Sequence, residues 1–288
     1  MYAFAYFKTN AEALHLALSS DCLLWRELNK GKPLLQGSIA TKTLRDPFIM
    51  RDKLGRYQLL CTDGWASPQL IHAHSDNLIE WSEQRSIGVM QGVLGTRNAW
   101  APEALFDAAS GHYLVYWSST VDTDPTSQAR NHRLWYVRTP DFVSFSPPAL
   151  LFDPGYSVID STIIAYKGRF LMVFKDEREE HKGLRSCWAP TPLGPWEALS
   201  EQFTPRLVEG PSLALVGERL ICLCDFYGAG HYGSFESNDG TNWSDSSATL
   251  QMPGHPRHGS IVKIDKSHGA ALIERFGLSP PTTHPALH

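Results

Sequence analysis

The sequence predicts an all-β fold, a five-bladed β-propeller whose ring is closed by its two ends. Three observations predict it. A hairpin plan first seen in residues 44–64 recurs, with openings near residues 46, 101, 160, 209 and 258. Those openings lie roughly fifty to sixty residues apart, close to the length of a four-stranded blade. Each unit ends on a polar turn followed by an aromatic residue, at Trp81, Phe145, Trp196 and Trp243. The fifth unit has an opening strand but no partner strand after it, and the missing partner is present at the other end of the chain.

Taken in order, residues 2–7 (YAFAYF) match the second strand of a unit and residues 14–18 the third. SSDCLLW, ending at Trp25, matches the aromatic turn. Residues 44–64, LRDPFIMRDKLGRYQLLCTDG, then give the full plan: a carboxylate beside a proline, a short apolar run, a turn at Gly55 and a second apolar run. Short runs rich in aromatic and branched residues, flanked by turn formers, read as strands rather than helices. The plan returns from Ala101 through Gly111 to HYLVYWSS, from Asp160 through Gly168 to RFLMVFKDE, and from Glu209 through Gly217 to ERLICLCDF. Residues 258–264 supply the last opening strand, which residues 2–7 are expected to pair with. Such closure protects sheet edges. A β-sandwich with coincidental spacing is the competing reading, and five matching aromatic turns disfavour it.

Residues 1–278 therefore read as a single domain. Residues 87–98 and 121–131 read as loops, the second overhanging one face. AALIERF gives residues 265–276 a helical spacing, and the Pro- and His-rich residues 279–288 read as a loose tail.

A formal charge of -4 argues against a nucleic-acid surface, which is normally basic. No run approaches the ~18 apolar residues of a membrane helix. The first fifteen residues have neither a basic start nor a long apolar core, so no signal peptide is read and a cytoplasmic location is expected. The five cysteines lack metal-site spacing and read as buried thiols, with Cys222 and Cys224 on one face of a strand.

In a propeller the innermost strand of each blade starts at the same end of the central channel. The opening residues then form a ring: Asp46, Glu103 or the Trp100 before it, Asp160, Glu209 and His258. A lone Asp-Pro or Glu-Gly is usually a solvated turn. Acids at matching places in a repeat carry more weight, because burying an unpaired charge is costly. Clustered carboxylates bind a hard cation or divide acid and base roles. Glycoside hydrolysis needs the second use. One carboxyl protonates the leaving oxygen while another activates water, about 6.5–9.5 Å away in inverting enzymes. Lys175, Asp176 and Glu177 end a second strand, where a solvated turn is expected.

The segments Arg45-Asp46-Pro47-Phe48-Ile49, Trp100-Ala101-Pro102-Glu103, Val158-Ile159-Asp160-Ser161, Val208-Glu209-Gly210-Pro211-Ser212 and Arg257-His258-Gly259 resemble the ordered motifs of glycoside hydrolase family 43. The resemblance spans nearly the whole chain. It implies an inverting glycosidase on a five-bladed propeller, with Asp46 as general base and Glu209 as general acid. Asp160 is implied to raise the pKa of Glu209 and orient it. His258 matches a histidine that in some members lies on the channel axis near a calcium ion or water. A buried, hydrogen-bonded histidine is the equal alternative, so no metal is assigned and no cofactor is required. Trp100 either stacks on a sugar or packs between blades. Arg45 either holds the base ionised or contacts a sugar hydroxyl, and Glu103 completes the substrate-contact set. Fructosidases share an Arg-Asp-Pro motif, but theirs follows an Asn-Asp-Pro-Asn nucleophile motif that this chain lacks.

The implied substrate is a carbohydrate, a terminal α-L-arabinofuranoside of a plant-type poly- or oligosaccharide, with β-D-xyloside and then galactofuranoside as alternatives. A non-catalytic carbohydrate-binding propeller is the reading of another class. All three carboxylate positions hold the right acids, which argues against lost catalysis. A WD-type interaction propeller lacks its Gly-His and Trp-Asp signatures here. Oligomeric state leaves no mark in the sequence.

Overall fold

A computed structural model describes residues 1–122 and 131–280. The chain starts with β1 (Tyr2–Lys8), β2 (Ala11–Ser19) and β3 (Arg26–Glu27). The first complete blade is β4 (Arg45–Arg51), β5 (Tyr57–Thr62), β6 (Leu70–Ser75) and β7 (Arg85–Ile87). The second is β8 (Trp100–Asp107), β9 (His112–Thr120), β10 (His132–Thr139) and β11 (Ala149–Phe152). The third is β12 (Val158–Tyr166), β13 (Arg169–Asp176) and β14 (Gly183–Ala189). The fourth is β15 (Glu209–Val216), β16 (Arg219–Phe226), β17 (His231–Ser237) and β18 (Ser244–Asp245). Then β19 (Arg257–Lys263) completes the fifth blade in the order β19-β1-β2-β3, so the fold is a five-bladed propeller closed across the two ends. The closing register runs antiparallel through Tyr2↔Lys263, Ala3↔Val262, Phe4↔Ile261 and Ala5↔Ser260, as the repeat predicts.

The third sheet departs from the four-stranded plan. Its outer segment contains Pro190, Pro192 and Pro195, which have no N–H for a ladder, and only the pair Trp188↔Glu197 forms there. The other four aromatic turns share one device. A Ser or Thr hydroxyl accepts the N–H three residues on, and an Asp or Asn two residues on accepts the next two N–H groups. The hydroxyl bonds are Ser19 to Cys22 (3.0 Å), and Ser75 to Leu78, Thr139 to Phe142 and Ser237 to Gly240 (2.8 Å each).

The core is five layers, one between each pair of neighbouring blades. Alternate residues of a second strand serve opposite layers: Leu59 and Cys61 face the fifth blade, while Leu60 faces the second. Cys222 and Cys224 pack together in the layer toward the third blade, and all five cysteines are free and buried. Each fully buried leucine in such a layer contributes about 1.5–3 kcal/mol, so the ring is held by faces rather than by one central core.

The helix expected over residues 265–276 is α1 (Lys266–Phe276), with Asp265 at its N-cap position and Leu272 buried against the layer between the fifth and first blades. Ser279 is tied down by its N–H to the Glu27 carbonyl at 2.9 Å. The remainder of the expected tail, residues 281–288, and most of the expected overhanging loop, residues 123–130, lie outside the described residues.

Candidate active site

Every inner strand begins with a β-bulge. The ladder register shifts between Arg45 and Phe48, Trp100 and Glu103, Ile159 and Thr162, and Glu209 and Ser212. In the first four blades the second residue of the bulge is left-handed: Asp46 (φ 47°), Ala101 (49°), Asp160 (52°) and Gly210 (57°). A bulge re-aims a side chain out of the pleat. The equivalent place in β19 is His258, between Arg257↔Phe7 and Gly259↔Tyr6.

This alignment corrects the ring expected from the sequence. Asp46, Asp160 and His258 are equivalent, but their fourth-blade counterpart is Gly210. Glu209 sits one residue earlier, equivalent to Arg45, Trp100, Ile159 and Arg257. Glu103 sits two residues later than Ala101 and misses the funnel. It lies down the channel with Thr162 and Ser212, accepts a 2.9 Å bond from the Tyr116 hydroxyl, and burial pushes its carboxyl up to about 8. Gly210 answers two needs. Its φ favours glycine, and a Cβ there would meet the His258 ring at 2.7 Å.

At the same height, the second strand of each blade reaches across to the next blade's opening. Thr62 Oγ1 accepts the Ala101 N–H (2.7 Å), and Ser118 Oγ accepts the Asp160 N–H (3.2 Å). Lys175 donates to Glu209 (2.9 Å), and Arg257 donates to Asp225 (2.6 Å). The Arg45 guanidinium lies 4.7 Å from the Phe7 ring centroid. Lys175 is therefore no solvated turn residue. It occupies the third blade's version of a fixed position, is 3% exposed, and pairs with Glu177 at 2.5 Å as well as with Glu209. Asp176 is fully buried and held by Arg178 and Arg185.

Asp46, Asp160, Glu209 and His258 line one funnel of about 160 Å³ together with Arg45, Trp100, Lys175, Glu177 and Arg257. His258 Nδ1 stands 3.6 Å from Asp46 Oδ1 and 3.7 Å from Asp160 Oδ2. Burial pushes its imidazole down, but Asp160, Asp46, Glu209 and Glu103 outweigh this and hold its pKa above the ordinary value. Asp160 Oδ2 also accepts the Gly210 N–H (3.1 Å), which fixes the backbone beside Glu209. Burial drives the Asp160 carboxyl up to about 7, against His258 and with the Glu209 charge adding to the rise. Burial also pushes Glu209 up, but Lys175 and then Arg257 (Nη2–Oε1 3.0 Å) overcome it and hold Glu209 below the usual carboxylate range. Glu209 is thus held below the usual range, not raised as expected, because the two cations touch Glu209 and not Asp160.

The funnel's lip has an aromatic wall that the sequence reading missed in part. Trp65 is 60% exposed and meets Trp100 edge to face at 5.4 Å, and its carbonyl accepts the Trp100 indole N–H (3.1 Å). Arg45 is sandwiched between Trp65 (4.5 Å) and Phe7, and its guanidinium also pairs with Glu12. Trp65 lies in the loop between β5 and β6, outside the strands and turns that carry the repeat, so nothing in the pattern marks it. Calcium takes 6–8 oxygen ligands. Among the described residues no three His, Cys, Asp or Glu side chains are arranged to hold a metal, and the His258 nitrogen faces carboxylates that favour its protonation.

Comparison with known proteins bears on this geometry. The family profile described as "Probable glycosyl hydrolase domain", related to family 43, matches residues 1–269. An α-L-arabinofuranosidase of Bifidobacterium longum subsp. longum is 30% identical over 185 residues, which are 55% of this chain and 17% of that protein. The chain thus spans about a sixth of that relative's length. A thermostable family-43 glycoside hydrolase superposes with a TM-score of 0.62 at 16% identity, covering 78% of this chain and 79% of that one. An α-L-arabinofuranosidase from Lactobacillus brevis superposes at 0.59 and 15% identity, covering 75% and 74%. At such identities the structures speak to the propeller fold alone.

Proposed function

The chain belongs to the glycosyl hydrolase domains related to family 43, and from that premise we propose that it is an inverting glycosidase releasing terminal α-L-arabinofuranosyl units from plant-type poly- or oligosaccharides. The observation that carries the reading is the meeting of three acids, Asp46, Asp160 and Glu209, around one imidazole in a single funnel with an indole wall. In this reading Asp46 takes a proton from water as that water attacks the anomeric carbon. Glu209 gives a proton to the departing glycosidic oxygen, which leaves as an alcohol. Asp160 orients Glu209 through the Gly210 N–H, which it accepts. Trp100 and Trp65 offer ring faces to a sugar, and Arg45, locked by Glu12 and Phe7, offers fixed donors to its hydroxyls.

The arabinofuranosyl choice rests on the Bifidobacterium longum relative, which is named for that activity. A β-D-xyloside is the next candidate and a galactofuranoside the third. A panel of nitrophenyl α-L-arabinofuranoside, β-D-xyloside and β-D-galactofuranoside tests the reading. Hydrolysis of the first, lost in Asp46→Asn, is the expected result. Silence on all three, with sugar binding retained in calorimetry, would favour a carbohydrate-binding propeller instead.

A further inference from the structure

Lys175 is placed where lysine is rarely found. Its ammonium is buried, whereas lysine heads almost always stay in water. It donates to Glu209 Oε2 at 2.9 Å and forms an ion pair with Glu177 Oε1 at 2.5 Å. The ring centroid of Tyr227 lies 4.5 Å from Nζ and closes the third side. Glu177 is itself anchored just beyond β13, its N–H bonded to the Ser157 carbonyl at 3.0 Å. The other ionisable groups around Glu209 are Arg257, which is shared with Asp225, together with Asp160 and His258. Asp160 also acts on Lys175, and Lys175, Glu209 and Glu177 all act on Tyr227.

We propose that Lys175 and Glu177 form a positioning pair for the proposed acid, in which Lys175 fixes the Glu209 carboxylate and opposes its protonation while Glu177 offsets part of that charge. The inference rests on the glycosidase reading and adds two residues to it. Glu209 takes its proton from solvent and passes it to the leaving oxygen, and Lys175 keeps its three protons throughout. Without Glu177, the full lysine charge would fall on Glu209 and keep it ionised at the pH where it must donate. Without Lys175, the acid would be easier to protonate but no longer held toward the funnel.

The two roles predict opposite shifts. The alkaline limb of kcat/KM should move up by about one pH unit or more in Lys175→Met, since an opposite charge this close shifts a carboxyl by about 1–3 units. In Glu177→Gln it should move down, and in Lys175→Arg it should stay near the parent value. Side-chain carboxyl titration by carbon-13 NMR of the full chain, assigned with Glu209→Gln, reads the same shifts in Glu209 without any turnover. Shifts of opposite sign in both measurements support the pair. Activity lost with no shift, or shifts of the same sign, would overturn it and leave both residues structural. A chain inactive on every glycoside but showing the opposite NMR shifts would refute the glycosidase reading and keep the pairing.

Discussion

Replacing Gly210 by alanine tests whether the bulge geometry builds the site. The new methyl group faces two costs. At φ 57° a side chain sits in the left-handed region, worth roughly 1–2 kcal/mol. The Cβ would also stand 2.7, 2.8 and 3.0 Å from three His258 atoms. The ring has little freedom to retreat, because Asp46 and Asp160 stand 3.6 and 3.7 Å from its Nδ1. Overpacking of this kind costs typically about 1–3 kcal/mol. Together that is about 2–5 kcal/mol, or a melting temperature lower by roughly 5–15 °C for a domain of this size. The second blade provides an internal control, since Ala101 carries a methyl group at φ 49° at the equivalent place. Strain alone is therefore tolerable, and the clash is the part specific to Gly210. A double-mutant cycle with His258→Ala, followed by thermal melts, isolates that part as a coupling of about 1–3 kcal/mol. A Gly210→Ala melt within 1–2 °C of the parent, or a coupling near zero, would mean that His258 is not wedged against this strand as described.

Glu209→Gln should cost roughly 10²–10⁴-fold on substrates with poor leaving groups and much less on activated aryl glycosides, because only the former need the proton. Equal losses on both, in paired kcat/KM measurements, would remove Glu209 from the acid role. Asp46→Asn should leave the melting curve and sugar binding nearly unchanged while turnover collapses. Proton NMR of the first-formed sugar should show an inverted anomer, and a retained one would require a covalent intermediate rather than Asp46-activated water. Asp160 has a folded pKa of about 7 against 3.8 unfolded, so its stabilising share is complete below pH ~4 and is lost as pH climbs through ~7. His258, also raised, has the same sign and acts above its ordinary 6.5. Melting temperature should therefore fall between about pH 5 and 8, and Asp160→Asn should flatten that fall; an unchanged slope would contradict the assigned protonation.

The repeat was legible because its cues are local. Short apolar runs, glycine turns and the Ser/Thr-x-Asp/Asn turns each act within a few residues, and their recurrence fixes the number of blades. Closure was legible for the same reason, since an opening strand without a partner at one end and a partner without an opening at the other can satisfy each other. The bulge was harder to read, although a cue exists. Pro47, Pro102 and Pro211 follow the left-handed residue in three blades, and aligning on them places Gly210, not Glu209, beside Asp46. Aligning on acids instead grouped residues by charge and misplaced Glu103 and Glu209. Lys175 was missed because its importance lies across a blade boundary. Its register partner Ile159 says nothing of Glu209, which is 34 residues further along the chain. The polarity of a strand end cannot distinguish a solvated turn from a cross-blade tie.

That one-residue offset also gives the funnel its chemical asymmetry. Asp46 and Asp160 occupy the inward bulge position and share His258, and among the described residues no Lys or Arg forms an ion pair with either. Glu209 occupies the wall position, where the preceding blade's Lys175 reaches it from one side and the following blade's Arg257 from the other. A perfectly repeated ring would give every acid the same surroundings and the same proton affinity. Division into acid and base needs those affinities to differ. The fourth blade makes its carboxylate differ, with a glycine at the bulge and the acid one step before it between two cations that lower its proton affinity, so the strand that breaks the repeat is also the strand that carries the proposed acid. Moving the carboxylate back into register, as Glu209→Gly with Gly210→Glu, would place it against His258 and away from both cations, and hydrolysis should be lost even though every residue type is retained.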